Sequence, residues 1–237
     1  MATSLPQLAH LDALRCHGSL LAERAVRAGL DAEVPSCPDW TVAHLLAHQS
    51  MVHRWIAAHV RGEDREGLPD EDRIRSRELD LVAYYRDGHR ALVAALSESP
   101  ETLTAKVFLR DAASPRGFWT RRQAHETSIH AVDALAAQLG RLPTAHEAAI
   151  DVAFAVDGVD ELVRGFLPGN ASSLYAEEPF VIGVRPTDSE RAWTIRVGPE
   201  LETEDGGAGR GRRGVRRFVR AAVPRALESG RRDRGRR

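Results

Sequence analysis

The feature that most constrains the fold is a helical period of apolar residues, which recurs through most of the first 166 residues. Leucine, valine, isoleucine and tyrosine repeat mainly at steps of three and four, which places them on one face of an α-helix. Gly29, Gly140 and a candidate N-cap at Thr41 separate the periodic segments. The predicted helices cover residues 5–29, 41–60, 78–97, 119–139 and 145–166. The first four of these helices, joined by connections of unequal length, predict a mainly α fold, a bundle whose interior can hold a metal ion.

The segments between and after these helices lack that period. Val34–Pro38 is predicted as a loop, because its two prolines remove backbone donors and push the preceding residues into extended conformations. Residues 61–75 form a polar, charged connection, and Lys106–Leu109 is a candidate short strand. Phe180–Arg185 and Ala192–Val197 have the pattern of two strands joined by a polar turn. These strands predict the beginning of an α+β domain that is incomplete.

The C-terminal segment, residues 200–237, is acidic at first and then rich in glycine and arginine. Its few apolar residues cannot bury enough surface to fold alone, so we predict a disordered tail, with a short amphipathic helix at Val215–Leu227 as the alternative. The arginines could bind nucleic-acid phosphates, but the lack of aromatic residues other than Phe218 disfavours this. The predicted domains are residues 1–168, residues 175–199 and the tail at residues 200–237.

The sequence has no recognisable membrane or export signal. It contains no run of eighteen apolar residues, and its first twenty residues lack the basic start and apolar stretch of a signal peptide. Cys16 and Cys37 are too few for a disulfide framework. We therefore expect a cytoplasmic protein with no membrane partner.

Glu126 and His130 form the most informative pair of side chains. They stand four residues apart in a predicted helix and project from one face, where a carboxylate and an imidazole can bind the same ion. His48, in the middle of the second predicted helix, can point into the same interior. Two histidines and one carboxylate are a ligand set of catalytic zinc sites, and three protein ligands leave a fourth position open. The alternative is that the Glu-x-x-x-His spacing is fortuitous and that His48 is an ordinary core or surface histidine.

Two motifs around these residues resemble a known family. Val34–Val42, followed by Leu45–His48, is similar to the loop and second-helix opening of the mycothiol-dependent maleylpyruvate isomerase family, and His125–Ala134 is similar to its second motif. The resemblance is strong over residues 5–165. Residues 180–198 more weakly resemble the start of the family's sterol-carrier-protein-like C-terminal domain. Where the family continues with strands and an apolar helix, this chain is rich in glycine and arginine, and our hypothesis is a frameshift or a truncation.

The resemblance implies a DinB-like four-helix bundle with His48, Glu126 and His130 as metal ligands. It further implies an isomerase or a thiol transferase in which a divalent metal, expected to be Zn²⁺, binds the thiol of mycothiol as thiolate. The thiolate would add to the double bond of a small electrophile such as maleylpyruvate, and rotation followed by elimination would return the trans isomer. The alternative is a metal-binding bundle without turnover, such as a thiol-sensing or partner-binding protein. The sequence specifies no catalytic side chain, substrate or oligomeric state.

Several further residues are candidates for lesser roles. Asp133 either orients a metal ligand or lies on the surface. His44 replaces a usually acidic residue of the family, which weakens a capping box and places an imidazole near His48, either as a supporting group or as a competing ligand. The residues expected to serve packing or structure are Trp40, Trp119, Cys16 and Cys37. The histidines expected to face solvent or away from Glu126 are His53, His59 and His125. The arginines that could bind a substrate carboxylate are Arg54, Arg121 and Arg122.

Overall fold

The computed structural model describes residues 5–77, 79–109, 112, 114–168 and 174–206, and the chain divides into two compact units after Asp157. The fold is mainly α, as predicted, with a small sheet near the end of the described residues. The helices are α1 (Gln7–Ala28), α2 (Val42–Arg61), α3 (Glu71–Arg75), α4 (Leu81–Glu98), α5 (Pro115–Leu139), α6 (Ala145–Ala148) and α7 (Val152–Asp160), which continues as a π-helix over Glu161–Phe166. The strands are β1 (Phe180–Val184), β2 (Trp193–Val197) and β3 (Glu202–Asp205). Within the described residues, no helix is long and apolar enough to cross a membrane.

The longest helix, α5, is defined by signals at both of its ends. Ser114 accepts a hydrogen bond from the N–H of Gly117 at 3.0 Å, and Pro115 occupies the first turn, where its missing N–H is not needed. The helix therefore begins earlier than the predicted start at Trp119. It ends at Gly140, whose φ of 64° is in the left-handed region that favours glycine.

The start of α2 has a capping box, although His44 stands where the family usually has an acidic residue. The N–H of Thr41 donates to Nδ1 of His44 at 3.1 Å, so the imidazole takes the acceptor role that a carboxylate usually has. Burial lowers the pKa of His44, and the charge of Arg75 lowers it further, which keeps Nδ1 unprotonated. His44 therefore takes part in the cap of α2, and the expected energetic cost of replacing the acidic residue stays a prediction.

The segment Lys106–Leu109 forms no strand, contrary to the prediction. The carbonyl oxygen of Lys106 accepts hydrogen bonds from Nε2 of His59 at 2.8 Å and from Nε1 of Trp119 at 3.1 Å. Two side chains thus bind a backbone group that a neighbouring strand would otherwise occupy. His59 was predicted to face solvent but is half-buried, because its ring contacts the carbonyl of Lys106 and the ring of Trp119. Trp119 is buried and serves packing, as predicted.

Three further segments also differ from the prediction. The predicted helix over residues 145–166 is divided, because Ala149 has a left-handed φ of 52° that ends α6. The predicted connection over residues 61–75 contains α3, in which Asp70 accepts from the N–H of Arg73 at 2.9 Å. Ile74 attaches this short helix to the core and is 1% exposed. For the third predicted helix, α4 begins at a later residue, and the predicted first residue lies outside the described residues.

The interior of the first unit contains two apolar clusters with polar side chains between them. In the bundle, α1 packs mainly on α5 and α4, and α2 packs mainly on α4. Along α1, Leu14 belongs to one cluster and Leu21 to the other. Gly18 lies between them and makes room for His89, because a Cβ on Gly18 would lie 2.1 Å from Nε2 of that ring. The side chains at this level of the bundle are therefore polar and closely fitted.

His53 belongs to this polar level, and the prediction that it faces solvent is wrong. Its side chain is fully buried, and its Nε2 forms a hydrogen bond with Oγ1 of Thr127 at 2.9 Å. The rings of Tyr85 and His89 have centroids 5.5 and 5.6 Å from that of His53. Burial holds the pKa of His53 well below its usual value, so this histidine is a neutral core residue at neutral pH.

The second unit contains an antiparallel sheet with the strand order β1-β2-β3. The observed β1 and β2 lie within the two predicted strands. The indole of Trp193 is fully buried and donates to Oδ1 of Asp160 at 2.9 Å. The sequence did not predict β3, because Glu-Thr-Glu-Asp has little strand propensity. An ion pair between Arg196 and Glu202, 3.5 Å apart, supports the pairing of β3 with β2. Residues 207–237 of the predicted tail lie outside the described residues. The alternative helix at residues 215–227 is within that part.

Candidate metal centre

Two helices bring the three predicted metal ligands to one point. His48 extends from α2, while Glu126 and His130 extend from one face of α5 because they are four residues apart. One ligand atom of each residue lies within 4.8 Å of the other two. Oε1 of Glu126 is 3.7 Å from Nε2 of His48 and 3.4 Å from Nε2 of His130. The three donors thus converge inside the bundle.

The opposite nitrogen of each histidine donates to a carboxylate. Nδ1 of His48 lies 2.6 Å from Oε1 of Glu71, and Nδ1 of His130 lies 2.9 Å from Oδ2 of Asp133. Asp133 also accepts from the hydroxyl of Ser36 at 2.5 Å, which fixes its orientation. These hydrogen bonds place the proton on Nδ1 of each ring and direct Nε2 to the common point. Metal-binding histidines have the same arrangement.

The indole of Trp40 forms one wall of this centre. Its ring centroid is 5.2 Å from that of His48 and 6.3 Å from that of His130, and it is nearly parallel to the second ring. Trp40 is partly buried against the neighbouring apolar cluster. It therefore packs, as predicted, and it holds the two imidazoles in place from one side.

Glu126 uses its two oxygens differently. Oε1 faces the two histidines, and Oε2 accepts from Nη2 of Arg122 at 3.0 Å. Burial alone would raise the pKa of Glu126, but hydrogen bonds to His130 and His48 and the charge of Arg122 hold that pKa well below its usual value. The carboxylate is therefore ionised at neutral pH and available to a cation.

The surroundings of the two histidines raise the pKa of both imidazoles when no cation is present. Burial lowers the pKa of His130, but Asp133 and Glu126 outweigh this effect and raise it to about 9. Burial likewise lowers the pKa of His48, but hydrogen bonds to Glu126 and Glu71 raise it above its usual value. Because three carboxylates contact the two imidazoles, the centre favours positive charge, and a metal ion would compete with protons for the two rings.

The donor set and its spacing suit zinc. Zinc is bound by imidazole nitrogen and carboxylate oxygen at about 2.0–2.2 Å, so two ligands of a tetrahedral ion lie roughly 3.4 Å apart. The separations of Oε1 of Glu126 from the two Nε2 atoms, 3.4 and 3.7 Å, are close to this value. His48, Glu126 and His130 could therefore hold one ion with small adjustments and leave a fourth position open.

A second buried group has similar residue types but a different arrangement. Nε2 of His10 and Nε2 of His125 each lie 2.8 Å from Oδ2 of Asp157, and Nε of Arg121 lies 2.9 Å from the same oxygen. Three donors thus surround one carboxylate oxygen, and a guanidinium occupies the place that a cation would need. This group is a hydrogen-bonded ion-pair centre. His125 faces it rather than Glu126, as expected.

The remaining candidates have roles in packing or lie away from the donors. Burial raises the pKa of Cys37 to about 11, together with the charge of Asp133, so its thiol is not reactive at neutral pH. Cys16 is exposed and free. Arg54 stacks on the ring of Tyr84 with its guanidinium carbon 3.5 Å from the ring centroid.

Glu71 and Ser36 contact the candidate ligands or their partners, but the sequence motifs do not indicate either residue. Glu71 belongs to α3, which lies in the segment predicted to be a polar connection between helices. The triplet Asp70-Glu71-Asp72, with a capping aspartate before acidic residues, is a helix-start signal that could have identified this helix. Its pairing with His48 depends on a contact between separate helices, and local sequence does not reveal it.

Comparison with known proteins agrees with the motifs. A family model described as the mycothiol maleylpyruvate isomerase N-terminal domain matches residues 11–135. This span includes His48, Glu126 and His130, and also Glu71 and Asp133. No curated protein and no solved structure matches the chain.

Proposed function

Because the chain belongs to the mycothiol maleylpyruvate isomerase N-terminal domain family, we propose that it is a metal-dependent isomerase or thiol transferase that uses mycothiol on a small electrophilic substrate. The observation that carries this proposal is the convergence of His48, Glu126 and His130, with a carboxylate behind each imidazole. A simple salt bridge requires one histidine and one carboxylate. Here the Nε2 atoms of two histidines both face Glu126, which suits a shared metal ion better than a single ion pair. The substrate is maleylpyruvate-like by the resemblance of the two motifs.

A bound Zn²⁺ would supply a positive charge that keeps a thiol ionised near neutral pH and so makes it nucleophilic. His48, Glu126 and His130 would hold the ion. Glu71 and Asp133 keep the two imidazoles in the tautomer that presents Nε2. The nucleophile would belong to the cofactor, so no nucleophilic side chain is required.

The side chains also limit the access of water to the centre. Trp40 covers the two imidazoles on one side, and the side chains of His130 and Glu126 are only 8% and 14% exposed. Exclusion of water from the site strengthens the attraction between a cation and a thiolate. Both cysteines of the chain are free, which suits a reducing compartment, and the proposal places the reaction in the cytoplasm.

Kinetic assays of the zinc-loaded chain test the proposal. With mycothiol and a panel of electrophiles that includes maleylpyruvate, we expect a rate that requires both zinc and mycothiol. His48→Ala and Glu126→Ala should lower this rate about 100-fold or more, because the thiol would lose its activating charge. Glu23→Ala, which removes an exposed carboxylate paired with Arg27, is the matched control and should keep the wild-type rate.

Equal background rates in the wild type and in both variants would refute the enzymatic function. If the wild-type chain then still bound zinc, the alternative of a metal-binding bundle without turnover, in thiol sensing or partner binding, would be supported. Loss of zinc binding as well would refute both functions.

Removing a carboxylate behind an imidazole should weaken the metal site without destroying it. We expect Glu71→Gln and Asp133→Asn each to lower zinc affinity about 10–100-fold, because the imidazole loses its fixed orientation and part of its basicity. Competition with a chromogenic chelator measures the affinity. Glu147→Gln, which alters an exposed carboxylate paired with Arg141, should leave it unchanged. An unchanged affinity in both test variants would mean that these hydrogen bonds do not support a metal site.

A further inference from the structure

The short helix α3 packs on α2 through an apolar and a polar contact. A helix of five residues is too short to be stable by itself, so its position depends on contacts with the rest of the bundle. Glu71 and Ile74 are three residues apart and therefore lie on one face of α3. Ile74 is the buried residue among the five, and it belongs to the apolar cluster that contains Leu45 and Leu46 of α2. The polar contact joins Glu71 to His48, which is also on α2.

The imidazole of His48 connects α3 with the metal centre. Nδ1 lies 2.6 Å from Oε1 of Glu71, while Nε2 of the same ring is 3.7 Å from Oε1 of Glu126. A carboxylate beside Nδ1 makes the ring a better ligand at Nε2, and a cation on Nε2 makes the N–H at Nδ1 a stronger donor. Because the coupling between two binding events is reciprocal, a metal ion must stabilise the packed α3 by the factor by which packed α3 raises the metal affinity.

We propose that α3 is coupled to the metal centre: occupation of the centre stabilises the packing of α3 on α2, and displacement of α3 lowers the affinity for the metal. This inference rests on the proposed function, because it needs an ion held by His48, Glu126 and His130. Ile74 is then a positioning residue, since its burial places the carboxylate of Glu71 beside His48. The side chain of Glu71 is 36% exposed, so water takes its place on Nδ1 when α3 moves away.

The zinc affinity of Ile74→Ala tests the coupling from the side of the helix. Competition with a chromogenic chelator at about pH 8.5, where protons compete less for the imidazoles, measures it. We expect an affinity about tenfold or more below that of the wild type, because the imidazole loses its supporting carboxylate. Leu92 of α4 is also fully buried but belongs to the other apolar cluster, so Leu92→Ala is the matched control and should keep the affinity within about twofold. Ile74→Val, a milder change that preserves the fold, should give an intermediate affinity.

A double-mutant cycle separates this role of Ile74 from a general loss of stability. If Ile74 acts through Glu71, then Ile74→Ala should change the zinc affinity by less than about twofold when it is added to Glu71→Gln. A purely structural contribution of Ile74 would instead lower the affinity by the same factor in both backgrounds.

Hydrogen exchange followed by nuclear magnetic resonance tests the coupling from the side of the metal. The N–H of Ile74 donates to the carbonyl oxygen of Asp70 at 3.0 Å. This amide should exchange about tenfold more slowly in the zinc-saturated wild type than in the zinc-free chain, and zinc should not slow it in Glu71→Gln. The short helix α6 provides the internal control, because the N–H of Ala148 donates to the carbonyl oxygen of Thr144 at the same distance and should not respond to zinc.

The outcomes distinguish the coupling from the metal site itself. Equal exchange of the Ile74 amide with and without zinc, or equal losses of affinity in the two backgrounds of the cycle, would overturn the inference while the metal site stands. Failure of the wild type to bind zinc would overturn the proposed function and this inference with it.

Discussion

The His130→Ala variant is expected to bind zinc about 100–1,000 times more weakly than the wild-type chain. Structural zinc sites with four protein ligands have binding free energies of about 10–16 kcal/mol, which is about 2.5–4 kcal/mol for each ligand. His130 provides one of three donors, and its Nε2 lies 3.4 Å from Oε1 of Glu126. Two remaining donors cannot define a tetrahedral site, because water would fill the other positions. His48→Ala and Glu126→Ala should give losses of the same order.

Metal analysis by plasma mass spectrometry after dialysis, followed by competition with a chelator, measures this loss. The second buried group provides the matched control. His10→Ala also removes a buried imidazole that contacts a carboxylate, but this carboxylate is already paired with Arg121. Zinc binding should therefore persist in His10→Ala. The reverse outcome, with zinc lost in His10→Ala and kept in His130→Ala, would move the metal site to the group around Asp157.

Local patterns were sufficient to predict the helices and the ligand candidates. The helical period depends on residues within one segment, and Glu126 and His130 lie on one face because of their spacing alone. The helical period alone does not include the capping residues Ser114 and Asp70, so α5 begins before its predicted start and α3 lies in a segment predicted as a connection. Both differences arise from helix N-cap residues, which can be recognised in a sequence.

Contacts between separate helices could not be predicted in the same way. His53 was expected to face solvent, yet it is buried beside Thr127 because the bundle contains a polar level between its two apolar clusters. Glu71 supports His48 from a short helix, and the buried side chain of Ile74 attaches that helix to the core. The group around Asp157 joins α1, α5 and α7. In each case the contacting residue is distant in sequence. The polar side chain by itself is equally compatible with a position on the surface, so local sequence does not predict its burial.

The Asp157→Ala variant is expected to lower the free energy of unfolding by about 3–5 kcal/mol. Oδ2 of Asp157 accepts hydrogen bonds from His10, His125 and Arg121, and all four side chains are at most 8% exposed. Without the carboxylate, the guanidinium of Arg121 is left buried with no opposing charge from Asp157, and burial of such a charge is strongly unfavourable. In a chain of this size the midpoint of thermal unfolding should fall by roughly 6–20 °C.

Thermal and urea unfolding followed by circular dichroism measure this change, and Asp12→Ala provides its control. Asp12 also pairs with an arginine, Arg15, at 2.9 Å, but both side chains are largely exposed, so its removal should change stability by at most about 1 kcal/mol. The folded Asp157→Ala chain should still bind zinc with wild-type stoichiometry, because the metal ligands lie elsewhere on α2 and α5. A loss of stability as small as that of Asp12→Ala would mean that the group around Asp157 does not hold the bundle together. A loss of zinc from the folded variant would mean that the two buried groups do not act independently, and the assignment of one group to structure and the other to metal binding would then fail.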